Sequence, residues 1–119
     1  MKKKKLKSIS QLKKEADRVF SLWIRARDGA CVTCGGRDQL QNGHYIPRNW
    51  LGLRYSEINC NTQDYRCNIA LKGNLDEYAL FLRRKYGPGI LEELKALKVP
   101  TSFHRKDYEE VITKYREKD

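Results

Sequence analysis

Hydrophobic residues recur every three or four positions in the first part of the chain, from about Ser10 to Arg27. This spacing places them on one face of a helix, and such an amphipathic pattern is typical of a helix that packs against a core. Asp28 and Gly29 interrupt the pattern and are expected to end the helix. The residues expected on the buried face are Leu12, Ala16, Val19, Phe20, Trp23 and Ile24.

The pattern changes after residue 39, where two short segments are rich in aromatic and β-branched residues. They are LQNGHYI at 40–46 and LRYSEINCNT at 53–62, and this composition is typical of strands. The segment PRNWLG at 47–52 lies between them and is longer than a tight turn. We therefore predict a β-hairpin with a wide loop, followed by a short helix that begins next to Cys67.

Helical spacing returns near Leu75 to Tyr86, before the Gly-Pro-Gly sequence at 87–89. Glycine and proline are expected to end the helix there. Asn74 and Glu77 have the spacing of a capping pair at its start. The residues expected to face inward are Leu75, Tyr78, Ala79 and Leu82.

Two more helices are predicted in the last third of the chain. The sequence ILEELKALK at 90–98 has the length of a short helix, and Pro100 is expected to close it. Thr101 and Ser102 are residue types that commonly cap a helix, so the final helix is expected to begin after them. Its inward face is predicted to carry Tyr108, Val111, Ile112 and Tyr115.

The 119 residues have about the length of one domain, and a domain of this size buries only a limited part of its apolar surface. We predict one α+β domain over residues 8–119, divided into a helix at 8–28, a core at 29–73 and a helical extension at 74–119. The residues before it, MKKKKLK at 1–7, carry like charges and are predicted to be disordered. So small a core is expected to need an additional stabilising element.

Basic residues outnumber acidic ones, 25 to 15, and give a net charge of +10. This excess is typical of a protein that binds nucleic acid, although a merely solvated surface has the same composition. No apolar run approaches the length of a membrane span, so the sequence indicates a cytoplasmic protein without a membrane partner. The basic residues expected to position DNA by its phosphates are Arg48, Arg54, Lys72, Arg83, Arg84 and Lys85.

Four cysteines occur in the chain. Reducing compartments keep thiols free, so metal ligation is a better interpretation than disulfide formation. Cys31 and Cys34 have the Cys-x-x-Cys spacing of a zinc knuckle, and Cys67 is expected to be the third ligand. The fourth ligand is open between Cys60, reaching the metal from the strand, and Asp64. A structural Zn²⁺ would provide the stabilising element that the small core needs.

His44 is one of two histidines in the chain and lies in the predicted first strand. Asn59 lies near the end of the predicted second strand, and Asn68 directly follows Cys67 at the start of the short helix. The hairpin and the helix would bring these three side chains to one cleft. His104 lies among polar residues at a predicted helix start and is interpreted as non-catalytic.

The sequence resembles the HNH, or ββα-metal, nucleases, and within them the NinG (Rap) recombination nuclease family of lambdoid phages. The likeness is carried by FSLWIRARDGACVTCG, LQNGHYIPR, LRYSEINCNTQDYRCN and GNLDEYALFLRRKYG. The resemblance implies a zinc-stabilised ββα-metal core and a structure-specific DNA endonuclease of phage recombination, which cuts branched DNA such as Holliday junctions and D-loops. It also implies that His44 is the general base, that Asn59 shapes the loop, and that Asn68 binds the catalytic metal.

Phosphodiester hydrolysis needs an activated water and an offset for the charge on the leaving oxygen. A neutral imidazole supplies the first, and one Mg²⁺ or Mn²⁺ supplies the second.

Two positions depart from the family pattern. Gly43 stands where many HNH enzymes have a metal-binding aspartate, so another oxygen must serve, from Gln41, the backbone or water. Asp64 stands where a zinc cysteine is expected.

Two other functions fit the sequence. One is a zinc-bound adaptor that binds branched DNA without cutting it, and the other is a generic HNH nicking endonuclease. A homodimer would match the symmetry of a four-way junction, and host or phage recombination proteins are candidate partners.

Overall fold

The computed structural model of the protein describes residues 6–116 and has an α+β architecture. Residues 1–5 of the predicted basic tail lie outside this range. The described elements, in chain order, are α1 (Ile9–Asp28), β1 (Leu40–His44), α2 (Leu51–Arg54), β2 (Cys60–Asp64), a π-helical turn (Arg66–Ala70), α3 (Leu75–Tyr86), α4 (Ile90–Ala96) and α5 (Arg105–Arg116).

The predicted N-terminal helix is confirmed as α1. The Ser8 hydroxyl accepts a hydrogen bond from the Gln11 N–H at 3.1 Å, and the Gln11 side chain accepts one from the Ser8 N–H at 2.7 Å. This reciprocal pair is a capping box. Gly29 ends the helix in a left-handed conformation with φ 71°, which favours glycine. The predicted inward residues are buried except Trp23, which is partly buried against the same core.

The predicted β-hairpin with a wide connection is confirmed. β1 and β2 pair antiparallel, with His44 opposite Cys60. The prediction that the second strand starts at residue 53 is wrong, because the strand begins only at Cys60. Asn59 consequently lies directly before β2 rather than near its end.

Residues 51–54 form α2, a single helical turn, instead of the start of a strand. Asn59 holds this turn in place. Its Nδ2 donates to the carbonyls of Leu53 at 3.2 Å and Ile46 at 3.0 Å, and its Oδ1 accepts from the Ile46 N–H at 2.8 Å. A buried carboxamide that satisfies the main chain in this way keeps the connection folded over the strand pair.

α3 and α4 occupy the predicted segments, but the predicted capping pair of Asn74 and Glu77 is wrong. Asn74 has a left-handed conformation, with φ 47°, and makes no side-chain cap bond. Its Nδ2 lies 3.6 Å from the Sγ of Cys67 instead. Tyr78 and Leu82 face inward as predicted and Ala79 is partly buried, whereas Leu75 is 48% exposed.

α5 begins at Arg105, and Thr101 and Ser102 are not its caps. The His104 N–H donates to the Asp107 carboxylate at 2.7 Å, which satisfies an amide at the helix start. Thr101 donates its hydroxyl to the Val99 carbonyl at 3.1 Å. Tyr108, Ile112 and Tyr115 are buried as predicted, and Val111 packs against the same core.

Two hydrophobic clusters join these elements. The first lies between α1 and α5 and includes Phe20, whose ring centroid lies 4.6 Å from that of Tyr115. The second joins α2, α3 and α4 and includes Leu53 and Tyr78. The Tyr78 hydroxyl also donates to the Gly43 carbonyl at 2.6 Å, and α1 contacts both strands. The strand pair is therefore held from the side of α1 and from the side of α3.

Candidate functional site

Three cysteines and one aspartate meet beside the end of β2. The ligand atoms of Cys31, Cys34, Asp64 and Cys67 lie within 4.8 Å of one another, and the Sγ of Cys34 lies 2.9 Å from the Oδ2 of Asp64. Thiolates and carboxylates are ligands that Zn²⁺ accepts in a tetrahedral site. The structure thus brings the three predicted zinc cysteines together in a cluster that can hold a metal such as zinc.

Two glycines shape the knuckle that carries the first two cysteines. Gly35 has φ 80°, and its N–H donates to the Cys31 carbonyl at 2.8 Å. A Cβ at Gly36 would lie 2.6 Å from the Oδ2 of Asp64, closer than such atoms can approach. The absence of a side chain at Gly36 therefore allows the carboxylate to come close to the knuckle.

Of the two residues considered for the fourth ligand, Asp64 lies in the cluster and Cys60 does not. Cys60 is fully buried in the core between α1 and α5, where its Sγ lies 3.3 Å from the Arg54 carbonyl. Burial raises the pKa of the Cys60 thiol, which disfavours the thiolate that a metal needs. Asp64 also accepts the Cys67 N–H at 2.8 Å, so its orientation is fixed.

Replacing Asp64 with alanine should weaken zinc binding, whereas Cys60→Ala should leave it unchanged. The first variant loses a donor atom of the cluster, and we expect its zinc affinity to fall by more than the roughly 10- to 100-fold that loss of a supporting residue costs. Competition against a chromophoric chelator measures both affinities. Loss of zinc from Cys60→Ala alone would show that the assignment of the fourth ligand is wrong.

A cleft of about 680 Å³ opens beside β1. Its walls come from α1, β1, the connection between the strands and the π-helical turn. His44, Gln41 and Asn68 all line this cleft, so the structure places the predicted base and both predicted ligands of the catalytic metal together. Asn59 is fully buried instead and acts on the loop through the bonds described above.

The His44 ring is held by the main chain of α2. Its Nε2 lies 2.9 Å from the Arg54 carbonyl oxygen, and because a carbonyl can only accept, Nε2 carries a proton; in the neutral ring Nδ1 then carries none. Burial lowers the pKa of His44, and the positive charges of Arg54 and Arg48 act in the same direction. The bond to the Arg54 carbonyl opposes this shift, but the net lowering of the pKa favours the neutral imidazole, in which Nδ1 can accept a proton.

Asn68 and Gln41 contact each other across the cleft wall, since the Nδ2 of Asn68 donates to the Oε1 of Gln41 at 2.8 Å. Position 43 has no room for a side chain, because a Cβ there would overlap the fully buried side chain of Gln63. Gln63 is itself fixed, and its Nε2 donates to the Gly73 carbonyl at 2.7 Å. An aspartate at position 43 would displace Gln63.

The basic residues predicted to contact DNA do not all lie in the cleft. Arg48 and Lys72 are exposed and line it. Arg54 lines it too, but it is 6% exposed and its guanidinium lies 2.6 Å from the Asp17 carboxylate. Arg54 is therefore not free to grip a phosphate in this structure. The three predicted basic residues on α3 are exposed but do not line the cleft; they are Arg83, Arg84 and Lys85.

Two charged residues of α1 that the sequence patterns did not predict also line the cleft, Asp17 and Arg18. Helical periodicity identified the buried face of α1, but it does not show which part of the polar face borders another element. The sequence signal that could have identified Asp17 and Arg18 is their position between Ala16 and Val19, at the edge of the buried face. Arg18 is exposed and adds a third free basic side chain to Arg48 and Lys72.

The fold and the site define a small α+β protein with a Cys₃Asp cluster that can bind a metal and a basic cleft. The chain belongs to the NinG family, whose model, described as Bacteriophage Lambda NinG protein, matches residues 1–119. The predicted membership of this phage family is thereby confirmed. No curated protein and no solved structure matches the chain. Within residues 6–116, no helix has both the length and the apolarity that crossing a bilayer requires.

Proposed function

We propose that this chain is a metal-dependent endonuclease of the HNH type that cuts branched DNA, including Holliday junctions and D-loops. The observation that carries the proposal is the presence of His44, Gln41 and Asn68 in one cleft with exposed basic side chains. Membership of the NinG family supports a role in phage recombination, in the cytoplasm of a bacterial host. Structural Zn²⁺ held by Cys31, Cys34, Asp64 and Cys67 would stabilise the scaffold.

His44 is the general base of the proposed reaction. Its Nδ1 takes a proton from a water molecule as that water attacks the phosphorus and the bond to the 3′ oxygen breaks. The ring keeps its Nε2–H bond to the Arg54 carbonyl, and this bond strengthens as the imidazole gains positive charge. The same contact therefore orients the ring before and after proton transfer.

The oxygen donors at the cleft fit a hard divalent cation. Mg²⁺ or Mn²⁺ bound there would offset the charge on the leaving oxygen and polarise the phosphoryl group. Gln41 and Asn68 supply carboxamide oxygens, the kind of donor these ions accept. Asn42 also lines the cleft, and among the described residues its buried Oδ1 has no hydrogen-bond partner. All of these donors are neutral, so the DNA phosphate must help to hold the cation.

The pH dependence of cleavage should reflect the lowered pKa of His44. The base must be neutral, and its pKa in the folded protein lies below the ordinary value of 6.5. Cleavage should therefore persist at pH 6.5 and fall only as the pH drops through the lower pKa, where Nδ1 becomes protonated. A profile of kcat/KM from about pH 5 to 8 measures this, and an acid limb centred above 6.5 would contradict it.

Arg18, Arg48 and Lys72 would hold the phosphates that flank the cut. Phosphate contacts position DNA without reading its sequence, which suits an enzyme that recognises the shape of a branch. A homodimer would present two such clefts to the two symmetric strands of a junction. Host or phage recombination proteins are further proposed partners.

Incubation with a four-way junction and with a matched linear duplex, each in Mg²⁺ or in EDTA, tests the proposed function. We expect nicking of the junction that requires Mg²⁺ and is much faster than nicking of the duplex. Equal cutting of both substrates would indicate a generic HNH nicking endonuclease. Binding of the junction without cutting would indicate a non-cleaving zinc-bound adaptor.

A further inference from the structure

Asp17, on α1, makes a close set of contacts with the end of α2. Its two carboxylate oxygens accept hydrogen bonds from Arg54, from Nε at 2.8 Å and from Nη2 at 2.6 Å. The Tyr55 hydroxyl donates to the same carboxylate at 2.7 Å. A two-point contact between a guanidinium and a carboxylate fixes orientation as well as distance.

Arg54 is also the residue whose main-chain carbonyl holds the His44 ring. The guanidinium of Arg54 thus faces α1 while its carbonyl oxygen lies 2.9 Å from the Nε2 of His44. α2 has only four residues, and so short a helix has little stability of its own. The position of its last carbonyl depends on the contacts that anchor the turn.

We infer that Asp17 is a positioning residue for His44 and acts through Arg54. The catalytic role of His44 in this inference rests on the proposed function. The contacts of Asp17 with Arg54 and of Arg54 with His44 do not depend on it. Arg54 is 6% exposed, so loss of the Asp17 charge would leave a cation with little solvent around it. The guanidinium would then move toward another partner, and the carbonyl of the same residue would move with it.

A phosphate clamp is the alternative role for Arg54, and the two roles differ in what Asp17 does. If Asp17 positions the ring, its loss lowers the rate of cleavage. If Asp17 only restrains a clamp, its loss frees Arg54 for DNA and tightens binding. The burial of Arg54 and its two-point contact with Asp17 favour the first role.

The test compares Asp17→Asn with Glu15→Gln, which makes the same change of charge on the same helix. Glu15 contacts Lys7 and Arg116 at the surface and does not touch Arg54. We expect Asp17→Asn to lower the single-turnover cleavage of a four-way junction roughly 10- to 100-fold, the range typical of supporting residues. The dissociation constant for the junction and all properties of Glu15→Gln should stay at the wild-type values.

A second readout does not depend on cleavage. The chain has two histidines, so His104→Gln leaves His44 as the one imidazole that ¹⁵N NMR detects. In this background we expect the Nε2–H form alone, and we expect Asp17→Asn to produce a mixture of the two tautomers. A changed tautomer in a protein that does not cut DNA would support the positioning role and reject the proposed function.

Tyr55→Phe provides a second variant in case Asp17→Asn does not fold. It removes one bond to Asp17 and keeps both the ion pair and the aromatic ring. We expect a smaller change of the same kind, in rate and in tautomer. An unchanged Nε2–H tautomer in the folded variants would overturn the inference, as would tighter junction binding at an unchanged rate.

Discussion

Cys67→Ser should leave the chain largely unfolded, even with zinc present. Cys67 is fully buried and is the one member of the Cys31, Cys34, Asp64 and Cys67 cluster that lies on the π-helical turn, so zinc bound there would tie this turn to the knuckle and to β2. Zinc binding in small domains supplies an apparent free energy of about 10–16 kcal/mol. The free energy of unfolding of a whole domain is only about 5–15 kcal/mol. Weakened metal binding therefore removes most of the free energy that keeps the chain folded. Far-UV circular dichroism and zinc content measure the outcome.

Cys60→Ser is the matched control, because it makes the same chemical change at an equally buried thiol outside the cluster. It should stay folded, retain zinc and lose roughly 1–3 kcal/mol in free energy of unfolding, from placing a hydroxyl in the core. Wild-type protein treated with a strong chelator should behave like Cys67→Ser. A zinc-free Cys67→Ser protein as stable as Cys60→Ser would contradict the account of the scaffold.

His44→Ala should abolish most cleavage of branched DNA while junction affinity stays the same. Loss of a general base lowers rates by roughly 10²- to 10⁴-fold. The basic side chains of the cleft, Arg18, Arg48 and Lys72, remain in place, and in the proposed function they supply the binding. Single-turnover incision and a binding titration on one junction measure the two quantities.

His104→Ala is the control for the loss of a histidine. His104 is exposed before α5, and we expect this variant to cut the junction at the wild-type rate. Retained cutting by His44→Ala would remove the imidazole from the mechanism. Equal loss of cutting and of binding would indicate that the substitution damages the fold instead.

The sequence predicted those features that a local pattern encodes. The apolar repeat of α1 predicts which face of the helix is buried and nearly where the helix ends, because the residues that pack and cap it lie within or beside the helix. The Cys-x-x-Cys spacing predicted the knuckle, and the placing of Asn68 directly after Cys67 predicted its approach to the same region as His44. The signals for α1 and for the knuckle lie within a few residues of the structures they specify.

The remaining features depend on contacts between distant parts of the chain. The second strand was predicted too early, because residues 53–59 have strand composition while buried bonds from Asn59 hold them in other conformations. No local pattern pairs Arg54 with Asp17, so Arg54 was predicted as a phosphate clamp. The choice between Cys60 and Asp64 likewise depends on tertiary packing, because Cys60 packs into the core between α1 and α5 whereas Asp64 lies beside the knuckle.

The proposed function requires that His44 and Asn68 act on one DNA phosphate from a single cleft. A double-mutant cycle tests this requirement. Single-turnover incision of a four-way junction is measured for wild type, His44→Ala, Asn68→Ala and the double variant. All four proteins must have equal zinc content. Residues that act as a unit lose activity non-additively, so the double variant should be no slower than the slower single variant. Losses that multiply, or incision that neither substitution affects, would contradict the claim.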